Sequence, residues 1–335
     1  MTSSITFTFK NVIRFGLGAV SAAGLLLLSA APALAQANPT FTYAKPEDVV
    51  TTSPKVEWKV QAKAGANAAS GNTQSINGLA GLTASRKQGN NKLALDAGIA
   101  YGRSTVWSPV VNTDRTPNQV VGLDGPAVTT TNNWITKARY DRFLTPNNAA
   151  FISGFAGADK IAGKSFFGGG QIGYSRQLLK DDVHLLVAEL GYDLSYERYV
   201  SQPTNTLDPV SIHSARVFVG EICKLSAATG VSASAEALFN LNKEGSAFKY
   251  NTDNTKETGV DAFHDTRFIG KVGLTTTLVK SLSFGFGFTV KYDQNPAPRP
   301  LPATTPADVG YSPTFFPFAN RFDTLTEATL IYTFL

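Results

Sequence analysis

From residue 55 onward, apolar and polar residues alternate with a period of two in one segment after another. That spacing gives an extended strand one apolar and one polar face. In 182–198, Leu186, Ala188, Leu190, Tyr192, Leu194 and Tyr196 oppose Glu189, Asp193, Ser195 and Glu197. In 281–293, Leu282, Phe284, Phe286, Phe288, Val290 and Tyr292 oppose Ser283, Gly285, Gly287, Thr289, Lys291 and Asp293. The same sidedness sets Val56, Trp58 and Val60 against Glu57, Lys59, Gln61 and Lys63, and Leu93, Leu95, Ala97, Ile99 and Tyr101 against Asp96 and Gly98. The pattern predicts about twelve strands, at 55–68, 73–87, 91–104, 133–144, 148–160, 165–178, 182–198, 211–225, 229–242, 265–278, 281–293 and 321–335. Each is long enough for the ~9–11 residues of a tilted membrane strand. Two segments fit less well: 211–225 turns Glu221 toward its apolar side if its register holds throughout, and 148–160 favours neither face, so either is a candidate for a bulge.

The connections sort by length. Short links fall at Lys87 to Asn91, Thr145 to Asn148, Leu179 to Asp182, Ser226 to Thr229 and Lys280. Longer stretches, 105–132, 199–210, 243–264 and 294–320, alternate with them, along with compact links at 69–72 and 161–164. Short turns on one rim and loops on the other predict an all-β, antiparallel, up-and-down transmembrane β-barrel with both termini on the periplasmic side. The apolar faces are expected to meet lipid, where a charge costs about 2–4 kcal/mol at the bilayer centre. Trp58, Trp134, Tyr140, Tyr174, Tyr192, Tyr196, Tyr292 and Tyr332 are candidates for aromatic girdles at the headgroups. A soluble periplasmic β-protein is the structural alternative.

The ends of the chain agree with export. Lys10 and Arg14 precede the apolar run Phe15 to Leu28, and Ala33-Leu34-Ala35 supplies a small-residue exit, so 1–35 reads as a signal peptide cleaved after Ala35. The Pro-bearing stretch 36–54 reads as an extended periplasmic leader, and 55–335 as the barrel. At the other end, Phe322, Thr324, Thr326, Ala328, Leu330, Tyr332 and Phe334 share one face of a closing strand. Its ending, Tyr332 and Phe334 before Leu335, is similar to the signal read by the barrel-insertion machinery, so that machinery and outer-membrane lipid are the expected partners. The lone Cys223 makes no internal disulfide. Removing Lys10 and Arg14 takes the formal charge from +5 to +3, too mild a bias to suggest nucleic acid.

Several short motifs occur in order over roughly 56–334. These are Ser70-Gly71-Asn72-Thr73, Gly170-Gln171-Ile172-Gly173-Tyr174, Gly191-Tyr192, Tyr292-Asp293 followed by Pro296 and Pro298, and Asp323-Thr324 through Ile331-Tyr332-Thr333-Phe334. Together they resemble the salt-induced outer-membrane protein family, which carries domain of unknown function 481. The resemblance implies an outer-membrane barrel and no particular reaction or solute. Long insertions at 105–132 and 294–320 depart from it.

Candidate chemistry is sparse. Gly168, Gly170 and Gly173 have dinucleotide-fingerprint spacing but sit inside a strand, where glycine more simply relieves crowding. His184, His213 and His264 could serve as bases for Ser211 or Ser214, as in outer-membrane phospholipases, but His213 and Ser214 are adjacent in a strand and point apart. No enzyme, cofactor or metal site is therefore expected, and the acidic stretch 253–265, with Glu257, Asp261 and His264, reads as a solvated loop. The expected lumen faces carry Lys59, Lys63, Lys137, Arg139, Arg216, Lys224, Lys271 and Lys291 against Glu57, Asp96, Asp141, Glu189, Asp193, Glu197, Glu236, Asp293 and Glu327. That near balance favours cross-lumen ion pairs over a ring of one sign. The expected function is a narrow channel for small polar solutes. The alternatives are a plugged structural or loop-interaction barrel and, more remotely, a lipid hydrolase.

Overall fold

The computed structural model describes residues 55–69, 74–105, 108–112, 119–125, 127–201, 207–253, 255–299 and 316–334. The expected signal peptide and leader, the turn 70–73 and Phe315 lie outside the described residues. Twelve strands form the barrel: β1 (Glu57–Ala69), β2 (Gln74–Gln88), β3 (Asn91–Thr105), β6 (Ala127–Thr145), β7 (Asn148–Asp159), β8 (Lys164–Lys180), β9 (His184–Tyr199), β10 (Val210–Lys224), β11 (Thr229–Asn240), β14 (Arg267–Val279), β15 (Leu282–Asp293) and β16 (Phe322–Thr333). Two hairpins stand outside it, β4 (Ser108–Asn112) with β5 (Gln119–Asp124), and β12 (Glu244–Phe248) with β13 (Thr258–Val260).

Every barrel strand pairs antiparallel with its neighbour, and the last pairs with the first through Gln61↔Thr333, Ala62↔Tyr332, Lys63↔Ile331 and Ala64↔Leu330. The Phe334 N–H extends the seam by donating to the Val60 carbonyl at 2.9 Å. Closure leaves no strand edge unpaired, which a sheet surrounded by hydrocarbon requires. The short turns share one rim; in the turn after β2, Gly89 takes a left-handed conformation at φ 53°, which suits glycine.

Solvent accessibility follows the two-residue period. On β9, Glu189 is 1% exposed and Leu190 64% exposed. On β3, Asp96 is 8% exposed and Ile99 60% exposed. Charged residues thus face inward and large apolar residues outward, the reverse of a soluble sandwich. That arrangement is stable where the surrounding medium is hydrocarbon. Trp58, Trp134, Tyr140, Tyr174, Tyr192 and Tyr332 are among the exposed aromatics.

Two differences from the sequence reading have physical causes. First, β6 begins at Ala127, because β3 continues to pair with it through Thr105↔Ala127 after a register shift at Gly102/Arg103. Second, β10 keeps its register throughout, so of the two candidate segments 211–225 carries no bulge. Glu221 does lie on the outward face, but at the periplasmic rim, where His184 Nδ1 meets its Oε1 at 2.9 Å. In agreement with the sequence reading, β7 shifts register between Gly157 and Asp159, and it directs Phe151 inward.

An arginine placed at Leu190 or Phe286 should destabilise the barrel folded into lipid vesicles by about 2–4 kcal/mol. The same change at lumen-facing Thr289 should cost much less. Urea titration of vesicle-folded protein measures both.

Candidate functional site

The lumen is filled unevenly. On the β6–β10 side, Glu189 of β9 lies between two arginines. Arg139 of β6 donates to it at 2.7 and 3.1 Å, and Arg216 of β10 at 2.8 Å. Arg139 also grips Asp141 at 2.7, 2.9 and 3.1 Å, and Arg216 continues to Glu236 of β11 at 3.0 Å. The Phe151 ring lies 4.1 Å from the Arg139 guanidinium and 5.6 Å from that of Arg216, and Phe218 lies 5.4 Å from Arg216. Phe151 therefore supports these two cations through its ring face, which explains why β7 showed no clean apolar and polar sides. Stripping these charges of water is costly, and their attraction offsets that cost because both Glu189 oxygens accept guanidinium hydrogens.

Toward the outer rim, Lys137 donates to Gln171 Oε1 at 2.7 Å, Gln171 donates to Asp193 Oδ2 at 2.8 Å, and Ser195 donates to Asp193 Oδ1 at 2.6 Å. At the mouth, Glu197 accepts from Lys164 at 2.6 Å and from Arg267 at 3.1 Å. Arg267 also donates to Asp265 at 2.9 Å, and Asp293 lies 4.0 Å from Lys164. Lys164, Gln171, Asp265 and Arg267 were missed in the sequence. Three of them sit at the edges of predicted strands, and Gln171 is uncharged inside a glycine-rich motif.

The opposite wall carries smaller inward residues, among them Ser232, Ser234, Gly273, Gly285, Gly287 and Thr329. Space remains there, a cavity of about 560 Å³ bordered by Lys63, Glu236, Lys271, Lys291, Asp293 and Glu327. Lys63 and Glu327 lie 3.5 Å apart, and Gln61 donates to Thr333 at 3.1 Å near the periplasmic end. Asp96 is buried on β3 with Oδ1 unpartnered. Glu57 and Lys59 occupy the periplasmic end of β1, and Lys224 is exposed at the end of β10.

Loops cover the outer mouth. Ala247 of β12, Val260 of β13 and Ala297 pack with Tyr199, Val210 and Ile212 at the rim. Phe248, Phe316 and Phe318 form a second apolar cluster, with ring centroids 4.4 Å apart for Phe248–Phe316 and 5.5 Å for Phe316–Phe318. A bridge between Pro298 and Phe318 ties the last loop across. Asn240, fully buried at the end of β11, holds both ends of the β12–β13 segment. Its Nδ2 donates to Glu244 Oε1 at 3.0 Å and to the Asp261 carbonyl at 3.1 Å, and its Oδ1 accepts the Asp265 N–H at 2.9 Å. Phe263, within this segment, is the one non-glycine described residue with positive φ, at 65°. Burial first, and the neighbouring Asp265 carboxylate second, push the Glu244 carboxyl up to about 8.

The other candidates stay apart. His213 faces outward and hydrogen-bonds the Tyr192 hydroxyl, whereas Ser214 is buried on the lumen side. His184 is paired with Glu221 at the periplasmic rim, and the His264 ring contacts the Ala262 carbonyl in the outer loop. Gly168, Gly170 and Gly173 lie inside β8. At Gly169 between them, a Cβ would strike the Leu194 carbonyl oxygen of β9, so close strand approach accounts for glycine there. Among the described residues, no group of three or more His, Cys, Asp or Glu could hold a metal ion.

Replacing Glu189 by alanine leaves Arg139 and Arg216 without their shared carboxylate. Stability should fall by about 3–5 kcal/mol in urea titrations, the range for breaking a buried pair by removing one partner.

No characterised relative matches the sequence. Among solved structures, the chain is similar to the outer membrane channel DcaP of Acinetobacter baumannii, at 9% identity and TM-score 0.33 over 83% of this chain and 97% of that one. It is also similar to the translocator domain of the autotransporter NalP from Neisseria meningitidis, at 11% identity and TM-score 0.35 over 84% and 87%. OmpT of Vibrio cholerae gives 9% identity and TM-score 0.34 over 83% and 97%. These distant likenesses assign no role. The family described as Protein of unknown function, DUF481, matches residues 62–334, nearly the whole barrel, and the chain belongs to that family.

Proposed function

We propose that this barrel is a narrow outer-membrane channel for small polar solutes, held closed at its outer mouth by its own loops. The observation that carries the reading is the cavity of about 560 Å³, lined from the Glu197–Arg267 level at the mouth to Gln61 and Thr329 near the periplasmic rim. Its volume is that of a small-molecule site. Its lining mixes Lys63, Lys271 and Lys291 with Glu236, Asp293 and Glu327, which suits a passage of weak charge preference. No catalysis is part of this reading. We also propose that the final strand, with Tyr332 and Phe334, engages the barrel-insertion machinery.

A second reading, a plugged structural barrel, is favoured by the ion network around Glu189 and by the apolar cap. Planar-bilayer recording separates the two. The channel reading expects small conductance steps that grow when residues 244–260 are replaced by a short linker. It also expects Lys271→Glu to shift ion preference toward cations and Glu327→Lys to shift it toward anions. No conductance above background from the uncapped barrel would leave the plugged reading standing.

A further inference from the structure

At the cap, the carboxyl of Glu244 stands outside the lumen network, beside Asp265, which joins that network only through Arg267. Glu244 and Asp265 are each 3% exposed, and each has one oxygen, Glu244 Oε2 and Asp265 Oδ1, buried with no hydrogen-bond partner. Burying an ionised carboxylate without a partner is costly, so such an oxygen calls for an explanation. Asp265 is offset by Arg267 at 2.9 Å. Glu244 has no cation within ion-pair distance among the described residues, and its one side-chain hydrogen bond comes from the neutral amide of Asn240.

We propose that Glu244 is a proton-operated latch: its neutral carboxyl seats the β12–β13 hairpin on Asn240 at the barrel mouth, and its ionisation releases the cap. Asn240 is well placed for this, because it bonds the start of the hairpin at Glu244 and its return at Asp261 and Asp265. The charged groups acting on Glu244 are Asp265 just before β14, Arg267 at the start of β14 and Glu197 on β9, with Asn240 on β11 as the neutral partner. Lys243 beside it is exposed and pairs with Asp261 at 3.2 Å, so it does not neutralise the buried carboxyl. The two carboxylates outnumber the one guanidinium, which opposes ionisation of Glu244 in the closed state.

The direction of the response follows. The closed-state carboxyl is pushed up to about 8, whereas a released, solvated one returns to the ordinary 4.5. Closure is therefore fully supported below the ordinary value and weakens as pH rises toward about 8. Acid holds the cap down and mild alkali frees it.

As regulation of the mouth, the latch rests on the channel reading, so its test reads the cap and not the current. In a Cys223→Ser background, a thiol reagent is applied to Ala247→Cys, buried under the cap, and in parallel to Ser246→Cys, exposed on the same hairpin. The ratio of the two rates cancels the intrinsic pH dependence of thiols. It should rise roughly tenfold or more between pH 5.5 and 8.5 and stay low and flat in Glu244→Gln, which mimics the neutral acid. Heat-modifiable migration on a gel checks that each variant is folded. A flat ratio with Glu244 intact, or an equal rise in Glu244→Gln, overturns the latch. A rise on adding chelator at constant pH also overturns it, by assigning the two orphan oxygens to a metal ion. Absence of conductance at every pH, with the labelling response intact, would sink the channel reading alone.

Discussion

A backbone amide in hydrocarbon has no water to bond, so a sheet placed there must pair all of its strands. The β1–β16 seam meets that demand with few residue pairs, and the rest of the architecture depends on it. Once the sheet is a closed cylinder, the two-residue period has only one assignment of faces available. Leucines and aromatics cover the outside, and the lysines, arginines and carboxylates are enclosed.

Enclosure makes charge and volume the variables that distinguish one part of the lumen from another. Where β6 to β10 supply arginine, phenylalanine and glutamate, the interior packs solid around Glu189. Where β11, β14, β15 and β16 supply glycine, serine and threonine, a passage-sized cavity remains. The two halves are consequences of side-chain length on strands of the same geometry. A stable ion network can thus act as a rigid wall beside an open path, with apolar loop clusters across the outer end.

Much of this was legible in the sequence, because strand sidedness is a local signal. The alternation in 182–198 separates Glu189 from Leu190, and of the residues assigned to the lumen Asp96, Lys137, Asp141, Glu189, Asp193, Glu197 and Arg216 are buried. The ordered short motifs also carry the family resemblance, and the family match over 62–334 spans nearly all of the barrel. What the sequence concealed was non-local. Phe151 lies in a segment whose alternation favours neither face, and its inward position follows from the guanidiniums that β6 and β10 place beside it. The β12–β13 hairpin is short, and its burial depends on Tyr199, Val210 and Ile212 from a distant part of the chain. Asn240 carries no charge and no motif, yet its four-way bonding organises the cap.

The inside-out assignment of faces is tested most directly by scanning a fluorophore through positions 185–196 of β9 in bilayers, with quenchers confined either to the acyl chains or to water. Quenching by the lipid-borne probe should peak at Leu186, Ala188, Leu190, Tyr192 and Leu194 and vanish at the alternate positions. Uniform quenching along the strand, or strong quenching of Leu190 by the aqueous probe, would contradict a closed barrel that turns its apolar face to lipid.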